Sequence, residues 1–362
     1  MPPSGAPYER KLVDPTFLAT RHGQIGCTTC HAGNGQATTP QAAHAGLIGR
    51  PSDDPGRACG GCHPDIVGTF AKSLHFTTRG FEHGLRALTG SVRWTSAKPA
   101  YQKACQSCHA TCGDCHVSRP PYSTDPVILG GLQQGHLFAR RPPMQITCAG
   151  CHGGRVAAEY TGQYEGFPAD VHYAKAKMTC LDCHPAAQMH GDGTITANRF
   201  AVQARPSCLG CHPEAAAGKS ALRQHNVHGE KLACQVCHGG IGKSCVNCHA
   251  GKGASSQPAL KIGRNLRPEL RFTYTLLRHV PTTRDMIDRL TGLTDTLANF
   301  DRIPTWKTAT PHSIQRVTAR SQNCGACHNN PNLFLRLKDL DPNDSQANGQ
   351  VVTAPPLPIP SR

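Results

Sequence analysis

The sequence predicts a mostly irregular chain with short helices and minimal β structure, folded around a filling that its own side chains do not supply. Three observations carry that prediction. Only 38% of the 362 residues are hydrophobic and 5% aromatic, too little for the two or three ordinary cores that this length implies. The 37 Gly and 29 Pro reach a level typical of turn-rich chains. The third observation is the 20 Cys, which in a secreted chain would first suggest a disulfide framework.

Their positions exclude that framework. All fall in one pattern, C-x-x-C-H: Cys27, Cys30 and His31; Cys59, Cys62 and His63; Cys105, Cys108 and His109; Cys112, Cys115 and His116; Cys148, Cys151 and His152; Cys180, Cys183 and His184; Cys208, Cys211 and His212; Cys234, Cys237 and His238; Cys245, Cys248 and His249; Cys324, Cys327 and His328. With 21 His in the chain, a His follows a given Cys by chance roughly 6% of the time, so ten in ten is on the order of one in 10¹². Zinc sites built from paired C-x-x-C units do not require a His after every second Cys. Covalent haem does: two sulfurs separated by two residues each form a thioether with one vinyl group of a porphyrin, and the next His lies under the iron. The expected cofactors are about ten covalently bound haem c groups. The fold class becomes mostly irregular coil with short helices wrapped around a packed chain of c-type haems, with minimal β. The porphyrins would supply the missing buried apolar surface.

The second axial ligand of each iron decides between electron transfer and catalysis. Outside the motifs stand eleven His for ten irons, whereas the only Met beyond Met1 are Met144, Met178, Met189 and Met286. The match of supply to demand predicts bis-His ligation, with His22, His44, His75, His83, His136, His172, His190, His225, His228 and His312 as the distal ligands. His279 is left over. Its open roles are a hydrogen bond to a haem propionate, a solvent-facing side chain beside Arg278, or a ligand for a neighbouring subunit.

An internal repeat is legible in the motif order. Each half has a single site, a site followed by Pro, a close pair and a last single site. CGGCHPDIVGTFAKSLH from Cys59 parallels CLGCHPEAAAGKSALRQH from Cys208, and both read as short helices. Pro64 and Pro213 suit a first helical turn, and Ile66, Phe70 and Leu74 recur every four residues. The distal His follow suit: His22 and His172 precede the first sites, His44 and His190 follow them, His75 with His83 parallels His225 with His228, and His136 parallels His312. The expected organisation is a first pentahaem half over 1–155, a second over 156–340 with a haem-free insertion at 251–311, and a Pro-rich tail over 341–362, extended or mobile at its end. Within the insertion, the alternation across Glu269 to Leu277 predicts a half-buried strand. Thr282 and Asp285 have capping-box spacing before a stripe of Met286, Leu290, Leu293 and Leu297, which predicts a helix whose apolar face packs over a haem or forms a docking surface.

The formal charge of +15 invites a nucleic-acid reading, but ten haems with two propionates each move it to between about +5 and −5. The interleaved aromatics of single-strand binders are missing, so no nucleic-acid partner is expected. Haem c is attached outside the cytoplasmic membrane, so the chain is expected to be exported, to the periplasm or beyond the cell. Met1 to Arg10 lacks the apolar stretch of a signal peptide, which suggests a processed chain or a shortened sequence. No run reaches the roughly 18 residues of a membrane span, so membrane association would need a partner.

Through its ten CxxCH sites the chain resembles decahaem c-type cytochromes. The two-by-five arrangement is similar to that of periplasmic conduits which pass electrons through an outer-membrane porin, and the haem density resembles that of extracellular cytochrome filaments. The resemblance implies bis-His haems in a conducting chain. Its partners would be redox proteins or extracellular acceptors, a porin, or further copies of the chain. CLDCHPAAQMHGDG, from Cys180 to Gly193, also resembles octahaem reductases of the tetrathionate type, which makes a tetrathionate or nitrite reductase with one open haem the alternative. Their catalytic haem has an unusual ligand, whereas all ten sites here end in His.

Overall fold

The computed structural model describes residues 13–104, 106, 109–118, 135–163, 166, 168–240 and 260–359. The chain divides into two compact units that interleave along the sequence: Met1–Arg79, Cys108–Gly154 and Thr179–Thr196 form the first, and Gly80–Ser107, Arg155–Met178 and Ala197–Arg362 the second.

The first unit is a succession of helical turns joined by loops. Motif helices run over Cys27–His31, Cys112–His116 and Cys180–Cys183, while Ala149–His152 continues from a π-helical turn at Met144–Cys148. Such turns are too short to stand on propensity, and two of them are pinned by side chains. Thr111 with Asp114, and Thr179 with Asp182, form reciprocal capping boxes. In each, the acid at the third helical position accepts from the threonine N–H, at 2.9 and 2.6 Å. Arg50 holds Asp114 at 3.2 Å and Arg141 holds Asp182 at 2.7 Å.

The expected stripe of Ile66, Phe70 and Leu74 is not one helical face. The helix Pro64–Phe70 ends at Phe70, Ser73 caps a new turn at Leu74–Thr77, and Ile66 is 46% exposed while Phe70 is buried. The parallel segment forms only a 3₁₀ turn at Pro213–Ala215 and a separate helix at Arg223–His228. Proline supplies the start in both, but neither has the length to reach its distal His.

The second unit holds the regular packing. A helix over Arg79–Ala104 that the sequence reading did not anticipate is interrupted at Gly90, whose φ of 73° is outside helical space. Asn299 takes up the carbonyls freed there, its amide reaching Ala87 O at 3.0 Å and its N–H reaching Leu88 O at 2.8 Å. Beyond the break, Trp94, Ala97 and Tyr101 share one face and pack with Ile287, Leu297 and Phe300. Pro99 is tolerated because it lies on the exposed side.

Three antiparallel strands follow in the order β1 (Lys261–Arg264), β2 (Tyr274–His279) and β3 (Trp306–Thr308), with Ile262 opposite Leu276 and Leu277 opposite Thr308. Successive residues of β2 point to opposite faces, and both faces are covered. Leu276 meets Ile262, Val236 and Phe334, while Leu277 meets Trp306, Leu335 and Val351. The strand expected over 269–277 is therefore displaced: Leu270 and Phe272 precede it. The expected helix shrinks to Asp288–Thr291, stopped by Gly292 at φ 70°. Leu290 is left exposed, and Met286 and Leu297 pack on the Trp94 helix. Among the described residues no helix is long and apolar enough to cross a membrane.

Candidate paired-histidine centres

A C-x-x-C-H segment wound into one turn places its two sulfurs three positions apart on one side, with the His following. The motif turns of both units have this form, and none of the described cysteines is in a disulfide. First cysteines of different motifs touch: Cys59 with Cys112, Cys148 with Cys180, and Cys208 with Cys234 are hydrogen-bonded pairs. The hydrogen bond pulls the thiol of Cys59 down to about 7 and that of Cys234 down to about 6. Burial pushes Cys115 up to about 12. Different motifs therefore abut.

Each of seven motif His faces one His from outside the motifs. In the first unit the pairs, with ring-centre separations, are His63 and His22 at 6.2 Å, His31 and His136 at 5.7 Å, His152 and His75 at 6.4 Å, and His116 and His190 at 6.1 Å. In the second unit they are His212 and His172 at 6.1 Å, His238 and His225 at 6.0 Å, and His328 and His228 at 6.1 Å. True stacking is closer, as between His22 and Phe138 at 4.0 Å and 9°. Two metal–nitrogen bonds of about 2.0 Å, plus about 1.1 Å from each nitrogen to its ring centre, give roughly 6 Å. The pairs are spaced for one metal ion between two imidazoles. Among the described residues no three His, Cys, Asp or Glu converge as they would around a bare ion.

Ring orientation is set from behind. The Nδ1 of His31 donates to Ile48 O at 2.7 Å, that of His116 to Ala139 O at 2.7 Å, that of His238 to Gln315 O at 3.1 Å and that of His328 to Leu357 O at 3.1 Å. On the distal side, Nδ1 of His172 donates to Asp170 at 2.8 Å and that of His228 to Gln224 O at 3.2 Å. A proton fixed on Nδ1 leaves Nε2 with its lone pair. The end of the chain, expected to be extended or mobile, is part of this arrangement: beside Leu357, Ile359 exchanges two hydrogen bonds with Asn329, at 3.1 and 3.0 Å. His136 reaches His31 from a left-handed backbone, φ 79°, an unusual conformation for a non-glycine residue. Burial, reinforced by the facing His, keeps the pKa of His22, His136 and His190 below the ordinary value, and that of His75 falls to about 4. Neutral imidazoles are the form that binds metal.

His279 differs in kind. It is buried, its ring lies 5.2 Å from Trp306, and its Nε2 donates to Asp344 at 3.0 and 3.1 Å. A carboxylate of the chain takes the place of the expected propionate or solvent, and the bond uses the nitrogen a ligand would need. Of the remaining predicted residues, His109 has Phe76 edge-on at 6.1 Å, His184 bonds Gln188 through Nδ1 at 2.9 Å, and His312 donates its backbone N–H to Glu159 at 3.2 Å. His44 and His83 are exposed and face no imidazole among the described residues. Cys105, Cys108, Cys245, Cys248 and His249 lie outside the described residues.

Two links recur between the sequence halves. The His preceding the first motif faces the second motif's His, as His22 does His63 and His172 does His212, and the last motif is served by His75 in one half and His228 in the other. What sequence reasoning missed is the set of Nδ1 acceptors. Most are backbone carbonyls, which carry no sequence signal. The side-chain partners lie close in sequence: Asp170 two residues before His172, Gln188 four after His184 and Ser220 five before His225. No protein-family model, curated protein or solved structure matches the chain.

Proposed function

We propose that this chain is a multihaem c-type cytochrome that conducts electrons along about ten bis-His haems, in periplasmic or extracellular electron transfer. The observation that carries this reading is the pairing of seven motif His each with one non-motif His, at 5.7 to 6.4 Å. The chain's own residues fit haem: cysteines three apart to form the thioethers, imidazoles on both sides, and Nδ1 bonds that fix ring orientation. Haem iron supplies a one-electron ferric/ferrous couple. Two imidazoles per iron would leave no position for substrate, which favours transfer over catalysis.

Redox proteins or extracellular acceptors would give and take the electrons, and a porin or further copies of this chain would extend the path. His44 favours further copies. Its counterpart in the repeat, His190, follows the Cys180 motif and faces a motif His of the other sequence half, whereas His44 follows the Cys27 motif and stands exposed with no facing imidazole among the described residues. It is suited to complete a centre on a neighbouring copy.

Intact mass and carbon monoxide binding test the reading. The expected result is about ten attached haems, low-spin when oxidised, with little carbon monoxide bound after reduction. Stoichiometric carbon monoxide binding at one haem, with turnover of tetrathionate or nitrite, would support the reductase instead.

A further inference from the structure

The three paired centres described in the second unit differ in what stands behind their imidazoles. At His228 and His328 both Nδ1 atoms meet backbone carbonyls, of Gln224 at 3.2 Å and of Leu357 at 3.1 Å. At His225 and His238 they meet the Ser220 hydroxyl at 3.0 Å and the Gln315 carbonyl at 3.1 Å. All four groups are neutral. His172 and His212 instead have an acid on each side: Asp170 lies 2.8 Å from Nδ1 of His172, and Glu214 lies 3.4 Å from Nδ1 of His212.

The two acids act with unequal strength. Asp170 is 2% exposed. One of its oxygens accepts from the backbone N–H and from Nδ1 of His172, both at 2.8 Å, and the other accepts from the Ile314 N–H at 2.8 Å. Its own N–H donates to Tyr160 O at 3.0 Å, so the carboxylate is held in place. Among the described residues no Lys or Arg forms an ion pair with it, and its surroundings screen charge poorly. The Glu214 side chain is 72% exposed, so water weakens its pull.

A carboxylate that accepts from Nδ1 makes the other ring nitrogen more basic. A more basic ligand favours ferric over ferrous iron and lowers the potential, as does a negative charge nearby. The opposite charge stands at the next motif. Arg320 donates to the carbonyls of Val236, at 2.9 Å, and Gly239, which bracket Cys237 and His238, and a cation there favours the ferrous state.

We propose that Asp170, assisted by Glu214, acts through the imidazoles to make the His172–His212 centre the lowest in potential of these three. It is then the last of them to take up an electron and the first to give one away. This inference rests on the function proposed above.

The wild-type protein supplies the first test. Haem methyl signals followed by nuclear magnetic resonance through a reductive titration should show the haem of the Cys208 motif reduced after those of the Cys234 and Cys324 motifs. Asp170→Asn should raise the midpoint of the Cys208 haem and leave the other two in place. Glu214→Gln, at an exposed position, should raise the same midpoint by less, with the melting temperature unchanged. Reduction of the Cys208 haem before either of the others, or a midpoint that stays put in both variants, would overturn the inference. Haem content by pyridine haemochrome separates the two readings. Protein without haem refutes the proposed function and this inference with it, whereas full haem content with the wrong order of reduction refutes this inference alone.

Discussion

The two units bury apolar surface in different ways. All the hydrophobic clusters of the described residues lie in the second, where Leu276, Phe300, Trp306 and Leu335 are 0 or 1% exposed. Among its described residues the first unit buries only Phe17, Phe70, Val117 and Met144 of its hydrophobic side chains, and these form no cluster, while Leu18, Ile25, Leu47, Ile66 and Phe138 stay exposed. A unit of that kind cannot offset its conformational entropy with side chains alone. The comparison teaches that the second unit contains a core of its own, whereas the first needs a filling, which the proposed haems would supply.

The strongest way to break this contrast is to prevent haem attachment. In protein made without haem lyase, amide exchange should be fast throughout the first unit and remain slow in β1 to β3. Equal protection of both units would refute it. Next in size, Leu276→Ala should cost about 2 to 5 kcal/mol in denaturant unfolding, because it opens a cavity between the sheet and Val236. Ile25→Ala in the same haem-free protein should change stability by less than about 0.5 kcal/mol.

Histidine replacements sharpen the comparison further. His75→Ala should turn one haem high-spin in the oxidised spectrum. His279→Ala should leave every haem low-spin and lower stability by about 1 to 3 kcal/mol, the cost of stranding a buried Asp344 carboxylate. A high-spin signal from His279→Ala would mean that its Nε2 is a ligand after all. His44→Ala should abolish association between copies, measured by light scattering, while the haem content stays the same. Unchanged association would remove His44 from the interface. A modest effect belongs to the capping boxes: Asp182→Ala should cost about 1 kcal/mol, read as a lower melting temperature.

The insertion shows where sequence patterns fail. Alternation from Leu270 to Leu276 is real, but Asn265 holds the chain before β2 in a turn, its amide reaching the carbonyls of Arg267, Leu270 and Phe272 at 3.1, 3.0 and 2.8 Å. The strand therefore begins only at Tyr274. The helix at Arg79–Ala104 escaped notice because Gly90 and Pro99 lie inside it. Asn299, 212 residues from Ala87, makes the break at Gly90 tolerable.

By itself the sequence determined what is local: ten C-x-x-C-H motifs, a supply of His outside them that matches one per motif, and proline and threonine starts for helices too short to stand alone. Residues within one turn of each other meet whatever the rest of the chain does. The tertiary structure decided the long-range matters: that His116 faces His190 and His31 faces His136, that Nδ1 protons go to carbonyls as distant as that of Gln315, 77 residues from His238, and that His279 is buried against Asp344. Those pairings join residues tens of positions apart, and only the packing that closes the intervening loops can choose among the histidines available to each motif.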